Sequence, residues 1–131
     1  MTENQIGTIV VDAAIALHRN LGPGLLESVY EITFAHELQK RGLVVERQVP
    51  IPISYDELNF DEGFRADLVV NACVIIELKS VSAITPSHRK QIQTYLRLSG
   101  KRLGFLLNFG EAMMKNGIVR AVNGLEEKAD Q

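Results

Sequence analysis

A single cysteine, Cys73, stands in a chain of 131 residues, which rules out an internal disulfide. It lies far in sequence from His18, His36 and His88, so a buried packing thiol within a strand is expected in preference to a nucleophile. Long hydrophobic runs are also missing. No segment reaches the length of a transmembrane helix, and Met1-Thr2-Glu3-Asn4 lacks the basic and then apolar regions of a secretory signal; a cytoplasmic protein without a membrane partner is expected. Repeats, low-complexity tracts and linkers are absent as well. Acid is missing from Ser80 to Gly110, while Arg89, Lys90, Arg97, Lys101 and Arg102 all fall in that window. The formal charge of -2 taken alone argues weakly against a nucleic-acid partner, but this segregation matters more than the sum. A solubilising face is the plainer alternative.

What is present suits one compact domain over residues 1–131, with 46% hydrophobic residues and an acidic tail from about residue 123. Thr2-Glu3-Asn4-Gln5 has capping-box spacing, and Ile6, Ile9, Val10, Ala13, Ala14, Leu17 and Leu21 continue a helical stripe to the break at Gly22-Pro23-Gly24. A second helix is expected from about Leu25 to Arg41, with Leu26, Tyr30, Phe34 and Leu38 on its buried stripe. Leu43 to Val49 and Ile51 to Tyr55 read as strand, interrupted or bent at Pro50 and Pro52, and Asp56 to Glu62 reads as a polar turn. Arg65 to Asn71 and Cys73 to Lys79 read as adjacent buried strands. Thr85 and Pro86 open a third helix that closes near Gly100 and crosses over to a strand from Leu103 to Phe109. Asn116-Gly117 then turns the chain into an edge strand ending at Val122. An α/β domain follows, with a central mixed sheet flanked by helices.

Chemistry concentrates at Asp67 and Glu77-Leu78-Lys79. Alternation puts Glu77 and Lys79 on one face of a strand and Leu78 on the other, leaving the Leu78 carbonyl near the carboxylates. An unpaired carboxylate on so apolar a strand would cost ~2 kcal/mol or more, so a cation or a buried partner is required. Two carboxylates, a carbonyl and a lysine can hold a metal and activate a water. The alternative is a same-face ion pair on a surface strand, and Glu126-Glu127-Lys128 in the tail is a second, solvated copy of the spacing. Glu27 falls on the inward stripe of helix two, or else merely suits the positive end of that helix. His88, Gln91 and Tyr95 share a face of helix three, where the amide and the phenol can reach a phosphate oxygen or a water, or simply cap the edge of the core.

Gly24-Leu-Leu-Glu27-Ser-Val-Tyr30 resembles the signature of the small prokaryotic GxxExxY proteins of the PD-(D/E)xK nuclease superfamily. Asp67 and Glu77-Leu78-Lys79 stand where that superfamily carries its D and E-x-K, with Ala66 in place of the proline, and Gln91-Ile-Gln-Thr-Tyr95 resembles the Q-x-x-x-Y motif of its RecB-like exonuclease branch. The resemblance implies a restriction-endonuclease-like core and a Mg²⁺-dependent nuclease acting on DNA, with Mn²⁺ as a substitute, in repair, processing or defence. Asp67, Glu77 and the Leu78 carbonyl would hold the metal, with Glu27 a direct or water-mediated ligand. Lys79 would activate the water, and Gln91 and Tyr95 would position it. Tyr30, His88, Arg89, Lys90 and Arg97 would meet the nucleic acid. Nothing is present to read base edges, so ends or strandedness should govern cutting. A binding module that keeps the fold without turnover is the competing expectation; a two-carboxylate glycosidase would leave Lys79 and the acid-free segment unexplained. A homo-oligomer stays open.

Overall fold

A computed structural model describes residues 1–125, so the Glu126-Glu127-Lys128 triplet and most of the acidic tail lie outside the described residues. Two helices come first, α1 (Glu3–Leu21) and α2 (Glu27–Lys40), followed by strands β1 (Val45–Tyr55), β2 (Leu58–Val70) and β3 (Val74–Lys79). Helix α3 (Pro86–Ser99), β4 (Leu103–Asn108), a 3₁₀ turn at Met114–Asn116 and β5 (Ile118–Val122) complete the order. The strands form one sheet in sequence order. Only β3 and β4 run parallel, as a helical crossover between them requires; the other neighbours are antiparallel. Helices α1 and α2 share a core with Leu68, Val70, Ile76, Leu78, Phe105 and Leu107, whereas Ile92 and Leu96 of α3 pack with Ile51, Val69 and Ile75. The sheet is thus the middle of three layers, the mixed α/β architecture expected from the sequence. Among the described residues no helix is long and apolar enough to cross a membrane.

Local signals explain most boundaries. The Thr2 hydroxyl accepts the Gln5 amide and the Gln5 side chain accepts the Thr2 amide, closing the capping box that starts α1. Thr85 and His88 do the same for α3, behind Pro86. Gly7 lets α1 settle on the sheet, because a Cβ there would come within 3.1 Å of the Phe105 ring. Between β2 and β3 the turn takes Asn71, Ala72 and Cys73, one residue more than the Asn71-Ala72 expected, with Asn71 and Ala72 both at positive φ (48° and 57°).

Four expectations need correction. The edge strand starts at Val45 and not at Leu43 and runs through Pro50, while a register shift between Ile51 and Ile53 interrupts its pairing at Pro52, as expected. Asp56 to Glu62 is not a loop: β2 already starts at Leu58 and pairs with Tyr55, leaving Asp56-Glu57 as the turn. Helix α2 begins at Glu27 and not at Leu25, and Leu26, its N-cap, is exposed instead of lying on the buried stripe. Cys73 is only half-buried and sits in the turn before β3, where it packs against the α1 side of the core.

Candidate active site

The backbone ladder between β2 and β3 stops at the Leu68–Ile76 pair. Beyond it the strands part, and carboxylates take over the bonding: Asp67 Oδ2 accepts the Leu78 amide at 2.8 Å, and Glu77 Oε2 accepts the Asp67 amide at 3.3 Å. Each strand's acid therefore satisfies the other strand's backbone, which fixes the two side chains at the mouth of the fork. Glu77 is only 5% exposed, and no ion pair reaches it among the described residues. Burial, then the Asp67 carboxylate beside it, pushes its carboxyl up to about 9. On β3 the Lys79 carbonyl accepts the Phe109 amide at 2.8 Å on the β4 side, so alternation turns the Leu78 carbonyl toward the gap at β2. Lys79 shares the Glu77 face and lies close enough to act on the charge of both Glu77 and Glu27.

Helix α2 brings its first turn to this fork. Tyr30 is fully buried, stacks on Phe109 with ring centres 4.5 Å apart, donates to the Gly22 carbonyl at 2.6 Å and accepts the Leu25 amide at 3.2 Å. Nucleic acid cannot reach it, so the expectation of a Tyr30 contact is corrected: this phenol fixes the turn that aims α2. Ser80, just past β3, donates to the Leu25 carbonyl at 2.9 Å and ties the same turn to the end of the Glu77 strand. Asn108, wholly buried, holds the Val81 amide and carbonyl at 3.0 Å each, so the exit from β3 is clamped from β4 as well. Glu27 consequently stands at the rim and not on an inward stripe. Partial burial, then Asp67 and more weakly Glu31, raises its pKa, while Lys79 opposes the rise.

Sequence reasoning missed Glu31 and Gln48. Glu31 is 8% exposed, held by Arg47 through two guanidinium bonds at 3.1 and 3.2 Å and by the Gln48 amide. Its signal was available, because Glu27 and Glu31 are four residues apart on one helix face. Gln48 had none. It adopts φ 52° in the middle of β1, a left-handed conformation that costs a residue with a Cβ ~1–2 kcal/mol. That twist takes its side chain off the ladder, and the amide also reaches Asp67 Oδ1 at 3.5 Å.

Helix α3 approaches from the other layer. Tyr95 stacks on Phe64 of β2, ring centres 3.9 Å apart and nearly parallel. Burial, then the charges of Glu77 and Asp67, raises the pKa of its phenol. Gln91 is exposed one turn earlier, and His88 is half-buried with Nδ1 accepting the Thr85 amide. Arg89, Lys90 and Arg97 are exposed and make no ion pair among the described residues. Lys101 and Arg102 leave the basic face: Lys101 donates to the Ala72 carbonyl and Arg102 pairs with Glu3, at the opposite end of β3 from Glu77.

Among the described residues no three His, Cys, Asp or Glu side chains stand ready as a closed metal cage. The donors nevertheless fit a small hard cation. Mg²⁺ is commonly held by one or two carboxylates, its remaining positions going to water and substrate oxygens. Asp67 and Glu77 supply two adjacent carboxylates, the buried one with no ion pair among the described residues, beside a backbone carbonyl facing the same gap.

No curated protein and no solved structure matches the chain. The family model described as PD-(D/E)XK nuclease superfamily matches residues 4–121, a span running from α1 into β5 and including the fork, α2 and α3. With that match over nearly the whole described chain, this protein belongs to the PD-(D/E)XK nuclease superfamily.

Proposed function

We propose that the protein is a metal-dependent deoxyribonuclease of the GxxExxY kind, hydrolysing DNA phosphodiesters with Mg²⁺, or Mn²⁺ in its place. The observation that carries this reading is the carboxylate exchange at the fork, where Asp67 and Glu77 each hold the other strand's amide beside Lys79. Asp67, Glu77 and the Leu78 carbonyl would hold the cation, with Glu27 contributing directly or through a water. When bound, such an ion acts as a Lewis acid on the phosphate and lowers the pKa of a water. Lys79 orients the attacking water and offsets the charge that develops on the phosphate. Gln48 and Glu31 keep Asp67 and the α2 turn in place, and Tyr95, fixed by its stack on Phe64, positions water or a neighbouring phosphate together with Gln91. Arg89, Lys90 and Arg97 guide the backbone, with His88 at the helix start.

Labelled linear and circular DNA incubated with Mg²⁺, Mn²⁺ or chelator tests the proposal. Metal-dependent cleavage that Asp67→Asn abolishes is expected. A second reading, a nucleic-acid-binding module without turnover, draws on the lack of a three-acid cage among the described residues. DNA retained but uncut under every metal condition would favour it and end the nuclease reading.

A further inference from the structure

Strands β1 and β2 outrun the sheet. Nothing in β2 before Leu68 pairs with β3, so the hairpin from Ile53 to Phe60 is a two-stranded arm that projects past the fork. Its pairs are Ile53 with Phe60, Ser54 with Asn59 and Tyr55 with Leu58, which puts Ile53, Tyr55, Leu58 and Phe60 on one face. That face is uncovered: Tyr55 is 70%, Leu58 60% and Phe60 48% exposed. The arm begins at the register shift between Ile51 and Ile53, just past the base that α3 covers at Ile51. An isolated two-stranded ribbon with an apolar side is marginal in water and calls for a partner surface.

Charge selects the partner. From Val49 to Phe64 the arm carries Asp56, Glu57, Asp61 and Glu62 and no lysine or arginine, which repels a phosphate backbone. Only Glu62 is paired, with Arg65; Asp56, Glu57 and Asp61 have no ion pair among the described residues. The complementary surface is on the same chain, where α3 presents Arg89, Lys90 and Arg97, likewise without ion pairs there, next to Leu98 at 45% exposure. One chain cannot use both, since α3 packs at the arm's base and not at its tip. The geometry points to a two-fold homodimer in which the arm of each copy lies on the α3 face of the other. A two-fold arrangement satisfies both surfaces twice and closes the assembly. It also covers cations that a nucleic acid would need, so dimer and nucleic acid compete for α3.

Sedimentation velocity of the full chain tests this without any assay of cleavage. A dimer is expected at low salt that weakens as salt rises. Leu58→Asp with Phe60→Asp, both at exposed positions, should raise the dimer dissociation constant about tenfold or more while circular dichroism stays unchanged. Asp56→Lys, Glu57→Lys and Asp61→Lys together should give monomer, and adding Arg89→Glu, Lys90→Glu and Arg97→Glu to that chain should restore the dimer. The proposal fails if the native chain is monomeric throughout, if a dimer ignores the arm substitutions, or if the reciprocal charge reversal restores nothing. An arm variant of a monomeric protein that loses DNA affinity would instead assign the arm to nucleic acid.

Discussion

Glu77 is a buried carboxyl with no ion pair among the described residues, and the consequence is a pH-dependent stability. Its carboxyl ordinarily titrates at 4.5 and is pushed up to about 9 in the fold, so between those values the folded state holds a proton that the unfolded state has lost. With divalent metal chelated, this contribution is fully present below about pH 4.5 and disappears as pH rises through about 9. Chemical denaturation across that range should show the decline, and Glu77→Gln should flatten it. Lys79→Ala removes a half-buried side chain that donates no hydrogen bond among the described residues, so the fold should persist while cleavage falls by about two or more orders of magnitude. Unaltered cleavage would make Lys79 structural. Gln48→Gly separates strain from function: glycine tolerates φ 52° without penalty, so stability should stay within about 1 kcal/mol while activity drops with the loss of the amide near Asp67. A variant as active as the native chain would remove Gln48 from the site.

At the scale of elements, the start of α2 and the first turns of α3 are the two places where substitution separates packing from electrostatics. Tyr30→Phe leaves the Phe109 stack but deletes the bonds to Gly22 and Leu25, and should destabilise the protein by about 1–3 kcal/mol in denaturant titration. Activity should fall with it, because Glu27 is aimed by that turn. Helix α3 answers to electrostatics. Reversing Arg89 and Lys90 to glutamate should weaken DNA binding strongly at low salt and little at high salt, since such contacts act through counterion release. Filter binding across a salt series distinguishes this from a Lys101→Glu variant, whose cation is spent on the Ala72 carbonyl at the far end of β3 and should matter less.

The whole molecule reports on the metal. Mg²⁺ or Mn²⁺ added to the purified protein should raise its melting temperature through binding to the folded state alone, and Asp67→Asn or Glu77→Gln should abolish the rise. Much of this arrangement was already written in local sequence. Capping residues, the Gly22-Pro23-Gly24 break, the alternation around Glu77 and the length of the Ser80–Gly100 crossover dictated the helices, the Glu77 and Leu103 strands and their parallel pairing, because such signals act over a few residues or follow from chain connectivity. The polar run from Asp56 to Glu62 misled for the opposite reason: a strand exposed on its acidic side has the composition of a loop, and only pairing with Tyr55 and its neighbours makes it a strand. The acids of the fork were likewise legible as residue types, whereas their mutual hold on each other's backbone was not. Contacts across long sequence separations decided that Tyr30, expected on the buried stripe, stacks on Phe109 and is closed to nucleic acid, that Gln48 turns into the site and that Lys101 and Arg102 leave the basic face. Sequence set the periodicities and the chemistry; tertiary packing chose which side chains meet, because burial and hydrogen-bond partners exist only once the layers are stacked.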